Sequence, residues 1–194
     1  MKKLLPLLLA LLLQACATPS MLPAATDLKA GSGEVVVIGK IELVPPISPL
    51  EQQTHWNVIG EKRMLGHVFM ATGESYKPVN TGRIDAAEFQ ATLEAEWGTP
   101  FMVRVARQPR TYFNGAMTHL NVMRQEMLWF PGGLYFEVPQ GATAVYIGTL
   151  RYHRNDFNSI TRVEIVDERK DIPLVLKSGG SPAEVRSALL KKLR

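Results

Sequence analysis

The amino-acid sequence predicts a mainly β protein, an antiparallel β-sandwich or alternatively a small barrel, followed by a short amphipathic C-terminal helix. Short runs of Val, Ile, Phe and Tyr recur from Glu34 to Leu176, and Gly, Pro and Asn separate them. No helical period alternates with the runs, which argues against βαβ units. The third observation is Ser181-Pro182-Ala183-Glu184, a capping box with proline at the first helical position. With 194 residues, 46% hydrophobic and 21% charged, the chain has apolar mass for one core and is neither disordered nor disulfide-dense.

The chain opens on Met1-Lys2-Lys3, a basic start to the apolar run Leu4 to Leu13. That is the layout of a secretory signal peptide, and a run of about 10 positions is too short to span a bilayer, which takes ~20. Leu13-Gln14-Ala15-Cys16 follows and resembles the lipobox of bacterial lipoproteins. The resemblance implies cleavage before Cys16 and acylation of that cysteine. Cys16 is the only cysteine of an exported chain, so lipidation also removes a thiol that an oxidising compartment would leave reactive. Two or three acyl chains suffice for stable anchoring. Ala17 stands where lipoproteins retained in the inner membrane carry Asp, so the resemblance implies an outer-membrane address facing the periplasm.

Cleavage leaves 179 residues and, with Lys2 and Lys3 gone, lowers the formal charge from +4 to +2. A near-neutral balance with both signs interspersed argues against a nucleic-acid partner. The expected organisation is a signal peptide over 1–15, a lipidated cysteine and flexible tether over 16–33, a β domain over 34–177 and the helix over 178–194. A tether of that size spans on the order of 20–25 Å.

Within the domain, Val35 to Val44 reads as a strand closed by Pro45-Pro46. Gly33 and Gly39 with Lys40 miss the spacing of a phosphate loop. Pro45 to Arg63, with His55-Trp56, reads as a long loop. Met64 to Ala71 is the next strand. Phe89, Ala91, Leu93, Ala95 and Trp97 then alternate as a strand, against a competing helix signal at Asp85-Ala86-Ala87-Glu88, and Gly98-Thr99-Pro100 turns it back into Phe101 to Val105. Asn114-Gly115 between Thr111-Tyr112-Phe113 and Ala116-Met117-Thr118 predicts a tight hairpin. Pro131-Gly132-Gly133 predicts a second turn, between Met127 to Phe130 and Leu134 to Val138. Further strands are expected over Thr143 to Tyr152, Ile160 to Val166 and Ile172 to Leu176, with Gly148 marking a bulge or a close backbone approach. Gly141 to Gly148 is similar to a strand of small lipoproteins with prealbumin-like or carboxypeptidase-regulatory-like sandwiches; that likeness implies binding or scaffolding.

No G-x-S-x-G, H-E-x-x-H or C-x-x-C motif occurs, and His55, His67, His119 and His153 are scattered. No catalytic, cofactor or metal site is expected. Asp167 to Asp171 reads as a charged turn, since Arg169 and Lys170 would oppose a calcium ion. Met117-Thr118-His119 with Met123 and Met127 comes nearest to a Cu(I) ligand set, although methionine is commonly core filler. The expected role is an anchored binding or assembly module, with Trp56, Tyr112 and Trp129 as the candidate surface for an envelope protein or glycan. The alternatives are a structural envelope lipoprotein and a lipid-anchored hydrolase.

Overall fold

A computed structural model describes residues 21–51, 64–79, 89–122, 124, 126–176 and 180–194. The long β-branched run forms β1 (Glu34–Val44), which ends at the Val44–Pro45 peptide, here cis. The other strands are β2 (His67–Gly73), β3 (Leu93–Glu96), β4 (Phe101–Ala106), β5 (Arg110–Asn121), β6 (Glu126–Glu137), β7 (Ala144–Arg154), β8 (Ile160–Val166), β9 (Val185–Ser187) and β10 (Lys191–Lys192). Arg169–Asp171 forms a 3-10 turn that runs on into a short helix, α1 (Ile172–Val175).

Two five-stranded sheets result. The first runs β4-β1-β7-β8, with β9 also on β7; the second runs β10-β6-β5-β2-β3. The first sheet is mixed, because β7 lies parallel to both β1 and β9, whereas the second is antiparallel throughout. The sheets are open rather than closed into a barrel. Alternate residues of both sheets meet in one interior, among them Val35, Val37, Ile41, Leu150 and Tyr152 facing Val68, Met70, Phe113, Phe130 and Phe136. Val36, Ile38, Met102, Ala144 and Tyr146 point to the other face of the first sheet, where Leu28, Ile172 and Val185 cover them. Burial on both faces explains the unbroken apolar run of β1.

The chain's own ends close the two sides of the sandwich. Leu22 donates to the Thr92 carbonyl beside β3, while Ala25 donates to Met102 and Pro23 accepts from Arg104, both on β4. Asp27 pairs with Arg104 at 3.0 Å. The stretch expected as tether is therefore docked from Leu22 onward. On the far side β9 takes the first half of the β7 edge and β8 the second half. The tail then crosses over, with Leu190 donating to Ile147 and Leu193 to Gly133, and β10 pairs with Tyr135 and Leu134 of β6.

Several sequence expectations are corrected. The Asn114-Gly115 hairpin does not form: both residues lie inside β5, where Asn114 is the extra residue of a bulge opposite Ala71 and Thr72. Pro131-Gly132-Gly133 likewise lies within β6, directly across from that bulge. The two turn signals face each other, and the irregularity of each strand accommodates the other's. The Phe89–Trp97 strand shortens to β3, and Gly98-Thr99-Pro100 leads from one sheet to the other instead of closing a hairpin. Ile172 to Leu176 is helix α1 rather than a strand. The Ser181 capping box is present, but it caps a single 3-10 turn (Pro182–Glu184). The residues after it become strands because open strand edges on β7 and β6 take them. Gly148 sits at φ +92°, next to a register shift between β1 and β7.

Candidate functional site

The outer face of the first sheet carries an ion-pair network at its C-terminal end. Lys40 and Glu42 on β1 stand beside Thr149 and Arg151 on β7. Lys40 Nζ lies 2.9 Å from Glu42 and 2.8 Å from Glu168, and also pairs with Asp171. Arg151 bridges Glu42 at 2.8 Å and Glu168 at 3.4 Å, and Thr149 Oγ1 donates to Glu168 at 2.7 Å. Burial works against the Lys40 ammonium, but hydrogen bonds to Asp171, Glu168 and Glu42 outweigh it and raise the pKa above the ordinary lysine value. Lys40 hydrogen-bonded to Glu168 holds that carboxyl down at about 2. An ammonium held charged in this way is no nucleophile. The network ties the expected charged turn, Asp167 to Asp171, onto the sheet and so positions α1.

A second clamp fixes the loop after β1. Arg154 donates to the carbonyls of Pro45 at 3.0 Å and Pro46 at 2.8 Å, and to Glu51 Oε2 at 2.9 Å. Its bond to the Glu51 carboxylate keeps that group at about 2. Arg154 also donates to Asn158 Oδ1, which locks the β7–β8 turn. Within that turn Asn155 Oδ1 accepts from the backbone of Phe157 at 3.1 Å and of Ser159 at 2.9 Å. The result is a rigid tip that holds Phe157 88% exposed.

Phe157 stands at the mouth of a cleft of about 660 Å³ along the edge of β6. Tyr76 and Trp129 supply two further aromatic walls, and Asn114, Asn158 and Ser159 supply polar groups; among the described residues no charged side chain lines it. Asn114 shapes the floor, accepting from Lys77 N at 3.0 Å and donating to the Ser75 carbonyl at 3.2 Å. Trp129 is braced edge-on by Phe89, ring centroids 5.3 Å apart. β10 covers only Leu134 and Tyr135, so β6 from Glu126 to Pro131 is an uncovered sheet edge among the described residues.

The chain matches no protein family, no curated protein and no solved structure.

Of the three aromatics singled out in the sequence, Trp129 lines the cleft and Tyr112 does not. Tyr112 is half-buried and packs on Tyr135 at 5.9 Å, beyond the β5 bulge from Trp129. Trp56 and Cys16 lie outside the described residues, as does His55. His153 Nε2 is 3.0 Å from Glu164 and 2.9 Å from Arg162. No serine hydroxyl bonds a histidine among the described residues. Sequence reasoning missed Tyr76 and Phe157. The signal for Phe157 is Asn155-Asp156-Phe157-Asn158-Ser159, one aromatic set in an otherwise polar turn.

Proposed function

We propose that this protein is a lipid-anchored envelope lipoprotein that serves as a binding or assembly module, with the β6 cleft as its docking place. Cys16 carries the acyl chains, and the outer membrane facing the periplasm is the address. The observation that carries the reading is Phe157, almost wholly exposed on a turn that Asn155 and Arg154 hold rigid. An exposed aromatic on a preorganised backbone loses little entropy on contact, which is the property of a binding anchor. The described lining is aromatic and uncharged polar, which suits an uncharged or apolar surface on the partner, from an envelope protein or a glycan. With Leu22 the first docked residue, at most ~22 Å of chain contour separates it from Cys16. The domain thus works close to the headgroups.

Two measurements test this. Mass spectrometry of the mature chain from membrane fractions is expected to find an acylated Cys16, and Cys16→Ser to release the protein. A photo-crosslinking residue at position 157, introduced in cells, is expected to capture one discrete envelope component, which the same probe at Thr26, on the docked N-terminal segment, does not. An unmodified N-terminus in the soluble fraction overturns the anchor. Equal labelling from both positions overturns the cleft.

A further inference from the structure

On the outer face of the second sheet lies a cluster that the cleft does not explain. His119 on β5 stands directly opposite Met127 on β6, and Met117 precedes it by two residues on the same face. His119 is only 7% exposed, and its Nδ1 is shut off from solvent with no hydrogen-bond partner. A buried imidazole nitrogen left unbonded forfeits the hydrogen bond that water would have given it. Phe69, whose ring meets the imidazole edge-on at 6.0 Å, offers no acceptor.

Directly opposed residues in an antiparallel pair have Cβ atoms about 5 Å apart, and same-face neighbours along a strand about 7 Å. Both spacings lie within the length of a methionine side chain. Among the described residues, acidic groups on this face stand aside: Glu126 is exposed and opposite Asn121, while Glu94 and Glu96 belong to β3, two strands away. Burial lowers the His119 pKa, keeping the ring neutral and able to coordinate.

We propose that Met117, His119 and Met127 form a binding site for a soft monovalent metal ion of the Cu(I) class, coordinated through His119 Nδ1 and the two thioether sulfurs. Thioethers select Cu(I), whereas Mg, Ca and Mn prefer oxygen ligands and zinc sites are built from thiolate, imidazole or carboxylate. A neutral ligand set in a buried place also suits a single charge far better than a double one. Coordination gives the orphaned nitrogen the partner that the protein withholds. Met123, from the same stretch of sequence, lies outside the described residues and is not needed for the argument.

The test is anaerobic Cu(I) titration of the full chain against bicinchoninate, in a Cys16→Ser background so that no thiol competes. One equivalent of Cu(I) is expected, with no comparable uptake of Zn(II). Met117→Leu and Met127→Leu conserve volume and leave the melting temperature of the metal-free protein in place; each is expected to weaken binding by about tenfold or more. His119→Phe is expected to abolish it. Ag(I), a redox-inert mimic, should raise the melting temperature of the parent but not of the double methionine variant. Failure to hold Cu(I) against the chelator overturns the proposal, and so does undiminished binding by either the His119 variant or the double methionine variant.

Discussion

Gly132 lies so close to Asn114 across the β5–β6 pair that a Cβ at 132 would fall 2.7 Å from the Gly115 nitrogen and nearer still to the Asn114 carbonyl. The atoms in the way are backbone in the middle of a sheet and have no route of retreat. Gly132→Ala is therefore expected to destabilise the domain by roughly 3 kcal/mol or more. Denaturant unfolding reads this directly, and an unchanged midpoint would refute the close approach.

Gly148 meets a different constraint. Its φ of +92° is disfavoured for any side chain, and an added Cβ would meet the Val166 carbonyl and Leu189 at 3.1 Å. Gly148→Val combines backbone strain with a clash at the point where β8 and β9 share the β7 edge. A loss of ~1–3 kcal/mol is expected in thermal melts.

Acid should weaken the fold through two carboxylates. Glu51 and Glu168 both fall from the ordinary 4.5 to about 2 in the folded protein, held down by Arg154 and by Lys40. A folded-state pKa below the unfolded one gives stability that is complete above about 4.5 and is lost as the pH drops towards 2. Solvent screening limits each contribution to roughly 2 kcal/mol. Urea midpoints measured from pH 6 to pH 2.5 should hold until about pH 4.5 and fall below it, and a flat profile would remove both ion pairs from the account.

Lys40→Met should reverse part of that dependence. The substitution leaves Glu42, Glu168 and Asp171 facing one another with only Arg151 to offset them. At neutral pH the loss is expected to be about 3–5 kcal/mol. Moderate acid then restores stability by protonating the crowded carboxylates. A variant that instead loses stability in parallel with the parent on acidification would show that Lys40 is not the centre of the network.

Phe157→Ser separates binding from folding. The side chain is 88% exposed and its turn is held by Asn155 and Arg154, which remain. Stability should change by less than ~0.5 kcal/mol. Co-purification of the partner captured from the cleft should fall sharply. Loss of stability together with binding would place Phe157 in the core instead.

How far the fold was legible depends on where each signal is decided. β1 and β7 are apolar runs rich in β-branched residues whose burial follows from composition, and with β4 and β8 they lie where the sequence places them. Asn114-Gly115 carries a local preference for unusual backbone angles, which a hairpin turn and a bulge both satisfy. Only the opposing Pro131-Gly132-Gly133 decides between them, and that pairing is a tertiary fact. Ile172 and Val175 favour a strand locally, but Asp171 is fixed on Lys40, and the chain turns into α1 from that point. In the cleft, Trp129 was visible as a large aromatic in a strand run. Tyr76 and Phe157 were not, because isolated aromatics in polar segments acquire meaning only when the fold brings them beside Trp129.

The crossing of the tail from β9 to β10 has a consequence for the order of assembly. Until Val185 to Ser187 arrive, Ala144 to Tyr146 at the heart of the first sheet present an unpaired edge, and Leu190 is missing from the interior. These residues follow every other strand of both sheets except β10 in chain order. Every earlier strand must therefore wait, partly open, for them. During that interval a bare strand in a crowded compartment can recruit a neighbouring chain. Protection of nascent copies against one another is thus a requirement that this topology imposes on the cell.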